Sequence, residues 1–459
     1  MQSIGFYGAA ETVTGSRHII TVNGKKILID CGLFQGQRET RELNWIPFPM
    51  PPHELDMVIV THAHLDHIGW LPRLVAQGYR GPILATKATI ELARISLPDS
   101  GRLQEEDARH RNKHGLTRHK PALPLYTEQM AYDCLKQFEA RPYSTMLPLP
   151  GEATFRFLFA GHILGSAFIE LYFPNGERIL MTGDLGRFNT PIIKDPTLVD
   201  YAEYLTIEST YGDRLHGQED PMVKLQEVMN DAYQNGSCLI VPSFAIGRTQ
   251  ELLYFISLLQ QQGNCPRIPI FIDSPMATSV THVYEAAREE HDEEAVKADK
   301  AHINLMDPEG LTYIRDREQS IALNSQKGPM MIVSGSGMAN GGRVVHHLLH
   351  RLGDPKTVVL FTGYQAEGTL GRDIVDGLPK VRVMGQEVMV HARVDKLNAL
   401  SAHADQGEMM KWLSYFKKPP KHTFIVHGEP PAQAVLKAKI EKELGWTVSI
   451  PTRGQSFQL

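Results

Sequence analysis

Cysteine is scarce in this 459-residue chain: Cys31, Cys134, Cys238 and Cys265 are scattered and form no CxxC pair. That pattern excludes a disulfide framework and fits reduced thiols in a cytosolic protein. Long hydrophobic runs are missing too. No stretch approaches the ~20 apolar residues that span a bilayer. The start Met-Gln-Ser-Ile-Gly-Phe lacks the basic region and apolar run of a signal peptide. A soluble, cytoplasmic protein with no membrane partner is expected. There is no surplus of positive charge: a net charge of −5 excludes nucleic-acid binding through bulk cationic character. A local basic groove, or phosphate recognition by metals and backbone amides, stays open. Low-complexity tracts are also absent. The length is too great for one compact core and points to two or three domains.

Histidine is what the chain does have. His62-Ala-His64-Leu-Asp66-His67 places four good metal ligands in one short stretch, directly after the apolar run Met57-Val-Ile-Val60. A strand there would carry His62 and His64 to one side, since extended side chains repeat with period two. A helix is predicted from Asp66-His67 through Trp70 and Leu71 to Gly78. Strand end, loop and helix start then aim three imidazoles and a carboxylate at one volume. Such a donor set suits zinc, less often manganese or iron. A merely His-rich surface loop is the competing reading, and the spacing behind a strand argues against it.

Two segments, His18–Asp30 and Phe168–Asp184, carry Asn-Gly between apolar runs, the strongest short hairpin signal. In both, the second strand ends on an aspartate beside a glycine turn. This hints at two β-rich halves delivering acidic groups to one sheet edge. From Glu208 the rhythm becomes strand, glycine loop, helix. Ser237–Gly247 leads into a helical pattern from Arg248 to Gly263, Met330–Met338 into one from Arg343, and Thr357–Gln365 into Gly371-Arg372. That recurrence predicts a parallel α/β sheet. Residues 208–380 therefore read as a second domain inserted into a first one made of 1–207 and 381–459.

Further donors stand at predicted strand ends: His162, Asp184, and His427 after the strand Thr423–Val426. A carboxylate can bridge two metals through its two oxygens, which makes Asp184 the natural shared ligand. With these residues in place, the chain resembles the metallo-β-lactamase superfamily. Within it, the chain is similar to the β-CASP nucleases that process RNA, such as the large cleavage subunit of the pre-mRNA 3′-end machinery. Asp30 matches the first motif, His62–His67 the second, His162 the third and Asp184 the fourth. Glu208, His403 and His427 match motifs A, B and C. Pro242–Glu251, Ser334–Met338 and Gly363-Tyr364-Gln365 resemble the β-CASP insert. The match runs in order through nearly the whole chain.

The resemblance implies an α/β fold: an αββα metallo-β-lactamase sandwich with an inserted parallel α/β β-CASP domain. It implies two zinc ions, one held by His62, His64 and His162, the other by Asp66, His67 and His427, with Asp184 bridging. Asp30 would orient a ligand histidine from behind. A histidine at position 427 favours RNA, expected to be single-stranded. The implied reaction hydrolyses a phosphodiester to 5′-phosphate and 3′-hydroxyl, with two zinc ions ~3.5–4 Å apart absorbing the developing charge. His403 is the candidate general acid, with Glu208 fixing its tautomer and keeping it protonated. Ser243, Ser334, Ser336, Gly337 and Arg248 are the expected phosphate-binding groups, because glycine turns opening onto helix N-termini present free amides to anions. The chain stops soon after His427, whereas ribonuclease J-like exonucleases carry a further domain, so internal cleavage is expected. A 5′-to-3′ exoribonuclease and a small-substrate metallo-hydrolase are the alternatives. Homo-oligomer formation stays open. The pairs His110/His114 and His346/His350 read as solvated helix faces, since two imidazoles without a third ligand seldom hold metal.

Overall fold

The computed structural model describes residues 2–116, 119–217, 219–301, 303–363, 365, 368–397 and 400–459; Tyr364 lies outside them. The chain divides into two compact units. One comprises 1–190, 195–215 and 403–459, the other 191–194 and 216–402.

The first unit contains two seven-stranded sheets. One runs in the order Ser456–Gln458, Gln2–Gly8, Arg17–Val22, Lys25–Ile29, Met57–Ile59, Ile83–Ala85, Phe138–Ala140. The other runs Val448–Ser449, His422–Ile425, Tyr204–Ile207, Arg178–Met181, Ala167–Tyr172, Thr154–Phe159, Leu147–Pro148. Alternation along the strands supplies the shared core: Ile4, Phe6, Ile20, Ile27 and Ile29 from the first sheet meet Phe155, Phe157, Ile169, Leu171 and Ile179 from the second. The second sheet's other face buries Phe168, Leu180, Leu205 and Ile425 against Met409, Trp412 and Leu413 of the helix Gln406–Leu413, and Leu436 and Ile440 of Pro430–Leu444. Leu28 and Val58, facing away from the shared core, are also fully buried. Helix Lys87–His114 packs beside Phe138–Ala140 on that sheet and against Glu128–Leu135, which in turn packs on Leu71–Ala76. The result is the expected αββα sandwich.

Both predicted hairpins form. Val22 pairs with Lys25 across Asn23 and Gly24, whose φ of 50° and 80° are those of a type I′ turn. Arg178 pairs with Tyr172 around a longer loop that holds Pro174. They belong to different sheets, so Asp30 and Asp184 reach one end of the sandwich rather than one sheet edge. The helix predicted from Asp66 to Gly78 is two helices, Leu65–Ile68 and Leu71–Ala76. Pro72, in the first turn of the second helix, has no N–H for a continuous ladder and starts a new helix instead.

The second unit is built on six strands in the order Leu311–Tyr313, Ile270–Ile272, Met330–Ser334, Cys238–Pro242, Thr357–Phe361, Arg393–Lys396, every pair parallel. Parallel strands are buried on both faces. Ile240, Ile332 and Phe361 pack against Val344, Leu348 and Ile374, while Leu239 and Val241 are buried on the opposite side. The insert does not stop at 380. Val358 pairs with Arg393, and this sixth strand carries the unit to Ala402, while its first boundary falls after Leu215. Residues 393–396 are exposed or half-buried. An edge strand of this kind lacks the apolar run that marks the inner ones.

Candidate metal centre

Several motif residues at the site leave the same end of the sandwich, where parallel pairing sets their strand ends level. Ile29 pairs with Ile59, so Asp30 and His62 emerge together. Met181 pairs with Thr206, and Ile207 with Ile425, which brings Asp184, Glu208 and His427 side by side. Ser209 N donates to His427 O at 3.1 Å and sews the last two ends together. Asp30 and His427 have φ of 57° and 51°, a strained region for side chains other than glycine. Each is held there by a backbone bond, from Asp30 N to Ile59 O at 3.0 Å and from His427 N to Ala9 O at 2.7 Å.

Two sets of donors converge. In the first, His62 Nε2 and His162 Nε2 each lie 3.1 Å from His64 Nδ1, and both lie 3.3 Å from Asp184 Oδ2. In the second, His427 Nε2 lies 3.1 Å from His67 Nε2 and 3.4 Å from Asp66 Oδ2. Asp184 turns its other oxygen to this set, 3.1 Å from His67 Nε2 and 3.5 Å from His427 Nε2. Four ligands ~2.0–2.1 Å from a tetrahedral zinc are ~3.3 Å apart along each edge. The spacing of both sets is that of a zinc coordination shell. Asp184 Oδ1 is buried without a hydrogen-bond partner, as a ligating oxygen would be. The donor set therefore fits a metal site.

For the first set the electrostatics point the same way. Burial, then the neighbouring His67, pushes the His62 imidazole down, and burial, then His62, pushes that of His64 down to about 3. Burial, then His403, pushes His162 down as well. Unprotonated rings keep their lone pairs for a metal. Burial opposes ionisation of Asp184, but His427, His67 and His62 outweigh it and hold the carboxyl well below the usual carboxylate range. Burial alone would lower His67; Asp184 and Asp30 overcome it and raise the ring well above its ordinary value.

A support layer stands behind the donors. Asp30 accepts from Thr61 N and Thr61 Oγ1, both at 2.8 Å, and lies 2.7 Å from His67 Nδ1. Thr61 Oγ1 is also 3.0 Å from His62 Nδ1, and Thr210 Oγ1 is 3.1 Å from His427 Nδ1. Sequence reading named Asp30 but missed both threonines; Thr61 directly before His62 and Thr210 two residues after Glu208 were the available signal. Metal-ligating imidazoles usually hold such a partner on the other nitrogen.

Glu208 and His403 meet as expected. His403 Nδ1 is 3.0 Å from both carboxylate oxygens of Glu208, whose Oε1 also accepts from Leu185 N at 2.7 Å. Asp184 Oδ2 is 3.9 Å from the same nitrogen. Burial would lower the His403 pKa; Glu208, with help from Asp184 and Asp66, raises it to about 9. His64 and Asp66 are only partly buried, and His403 keeps 20 % side-chain exposure, so the centre opens to solvent on their side.

The expected phosphate-binding residues all lie in the second unit, at the carboxyl edge of its parallel sheet. Ser243 N donates to Ser334 O at 3.0 Å. Both hydroxyls are engaged internally: Ser243 Oγ accepts from Thr249 Oγ1 at 3.1 Å, and Ser334 Oγ donates to Asp273 O at 2.8 Å. Ser336 Oγ accepts from Asn340 N at 3.1 Å. A Cβ on Gly337 would sit 2.6 Å from the Phe244 ring, so packing also favours glycine there. Arg248 opens the helix Arg248–Gln261, 3.7 Å from Glu251. His346 and His350 are exposed, as are His110 and His114; the buried imidazole of that helix is His347, which sequence reading passed over.

Three family descriptions match the chain: the metallo-beta-lactamase superfamily over residues 16–84, the Beta-Casp domain over 249–374, and the Zn-dependent metallo-hydrolase RNA specificity domain over 387–451. The chain is 38% identical over 459 residues to a ribonuclease of Thermus thermophilus, covering 99% of this chain and 97% of that one. It is 30% identical to an RNase J-like protein of Methanocaldococcus jannaschii, with 99% of both covered. To a transcription termination factor FttA of Methanosarcina mazei it is 27% identical, over 95% of this chain and 68% of that one. A crystal structure of a protein of unknown function from Enterococcus faecalis matches with a TM-score of 0.56 at 14% identity, covering 100% of both chains, a likeness of fold alone.

Proposed function

This chain belongs to the β-CASP family of the metallo-β-lactamase superfamily, and from that premise we propose that it is a ribonuclease working with two zinc ions on single-stranded RNA. The observation that carries this reading is the pair of donor sets that meet on the two oxygens of Asp184. Two zinc ions held there would supply Lewis acidity and an activated water.

The chain's own groups do the rest. His62, His64 and His162 present unprotonated nitrogens on one side of Asp184, while Asp66 offers a carboxylate and His67 and His427 offer imidazoles on the other. Glu208 holds Nδ1 of His403, leaving its Nε2 to carry the proton that goes to the departing 3′-oxygen. A water that has released one proton to solvent bonds through its oxygen to phosphorus as the bond to the 3′-oxygen breaks, and with the proton from His403 this leaves a 5′-phosphate and a 3′-hydroxyl. The long inserted α/β unit distinguishes the chain from a metallo-hydrolase of small substrates. All four cysteines are free and three are buried, as a reducing compartment would leave them, so the proposed location is the cytoplasm.

Cleavage of a single-stranded RNA labelled separately at each end, by wild type and Asp184→Asn, tests the reading. Wild-type products bearing 5′-phosphates, absent with the variant, are expected. Internal fragments assign the endonucleolytic mode, and mononucleotides released from the 5′ end assign the exonucleolytic one. Equal cleavage by Asp184→Asn would refute the proposal.

A further inference from the structure

The sandwich buries one cation that the proposed reaction does not use. Arg17, in the strand Arg17–Val22, is only 4% exposed. Burial is the largest influence on it, the Cys31 thiol beside it is uncharged, and no carboxylate pairs with it among the described residues. Its guanidinium carbon lies 4.5 Å from the ring centre of Trp70 and 4.9 Å from that of Phe34. Nε and one terminal nitrogen both donate to the carbonyl oxygen of Gly32, at 3.2 and 2.8 Å. A buried guanidinium without a counter-ion is costly, and what sets it apart from lysine is its planar donor fork and its stacking faces. Here both act on one short loop.

That loop grips the turn that carries two donors. Leu33 N donates to Leu65 O at 2.8 Å, Ser16 N to Asp66 O at 2.9 Å and Cys31 N to His67 O at 2.7 Å. Gly32 N closes the ring by donating to Ser16 O at 3.0 Å. Three successive carbonyls of the turn are thereby held. Gly32 approaches so closely that an added Cβ would stand 1.5 Å from Asp66 O. These bonds end on residues 65, 66 and 67, and His62, His64 and His162 take no part in them.

We propose that Arg17 is a positioning residue for one metal position alone, that of Asp66, His67 and His427. It clamps Gly32 against Trp70 and Phe34 and so fixes the backbone from which Asp66 and His67 reach inward. The inference rests on reading the two donor sets as metal positions. Its contribution is shape, because a nearby positive charge by itself opposes a dication.

The test is titration of the metal-stripped full-length chain with cobalt(II), and with zinc against a competing chelator, for wild type, Arg17→Lys and Arg17→Met. Wild type takes up two equivalents. In Arg17→Met one equivalent keeps its affinity and visible spectrum, while the other weakens by about 10- to 100-fold and its bands change. Arg17→Lys keeps the charge without the fork, and it loses affinity at the same single position. Wild-type affinity and bands for both equivalents in folded variants would overturn the inference. So would equal weakening of both, which marks general loosening of the fold. If Arg17→Met does not fold, Arg17→Lys decides. A wild type that takes up no metal sinks the reading of the centre and this inference with it, a failure visible before any variant is compared.

Discussion

Replacing Glu208 by glutamine keeps the shape beside His403 and removes the charge that holds its proton. His403 Nδ1 sits 3.0 Å from both Glu208 oxygens, and its pKa is raised from 6.5 to about 9 against a burial that lowers it. Without the carboxylate, burial is left as the main influence, so the pKa should drop to 6.5 or below. A change of that size corresponds to an interaction on the order of 3 kcal/mol. At pH 8 a group of pKa about 9 is roughly nine-tenths protonated, and one of 6.5 about 3%, so the acid form falls about 30-fold. At pH 6 the two differ by less than about 2-fold. The variant is therefore expected to lose about 30-fold in kcat/KM at pH 8 and to recover most of it at pH 6. Bound dications shift both proteins toward acid, so the difference between them is the quantity to read. The control is a phosphodiester with a nitrophenolate leaving group, which needs no general acid and should show little loss. The linkage sign agrees. A raised histidine stabilises fully below 6.5 and loses that contribution as pH climbs through about 9. Metal-stripped wild type should lose stability across that window, and Glu208→Gln should not. A zinc-loaded variant with an unchanged pH profile, or one impaired equally on both substrates, would refute the assignment.

Gly32→Ala puts a Cβ 1.5 Å from Asp66 O, a backbone atom that cannot swing aside. Denaturant unfolding should show a loss of about 3 kcal/mol or more, with reduced zinc content. Asp273 is fully buried and lies 2.7 Å from His347 Nε2 and 2.6 Å from Arg343. Asp273→Ala strands both groups and should destabilise by about 3–5 kcal/mol in the same assay; a cost under ~1 kcal/mol would contradict the network's role. Chelation should abolish RNA cleavage and lower the melting temperature, both restored by zinc and measured by gel assay and calorimetry, since an ion that binds only the folded state stabilises it.

Much of the centre was legible because its donors sit in short motifs at strand ends. His62, His64, Asp66 and His67 follow the apolar strand Met57–Ile59, and the hairpins around Asn23-Gly24 and Asn175-Gly176 announce themselves by turn chemistry. Local pattern failed where the signal was not local. The edge strand Arg393–Lys396 carries no apolar run, so the insert was read as ending at 380. Pro72 and its first-turn position split a helix that periodicity alone ran together.

By itself, the sequence determined which residues are the candidates for the chemistry and roughly which segments are strands, because donor identity, turn residues and side-chain period are written in neighbouring positions. Only the tertiary structure decided how they meet. Parallel pairing of Tyr204–Ile207 with His422–Ile425 brings Glu208 level with His427 across more than two hundred residues of chain. The orientation of Asp184, one oxygen to each donor set, and the clamp of Arg17 on Gly32 depend on the facing of two sheets. Contacts between residues far apart in sequence follow from packing and register, and no window of neighbouring residues contains them.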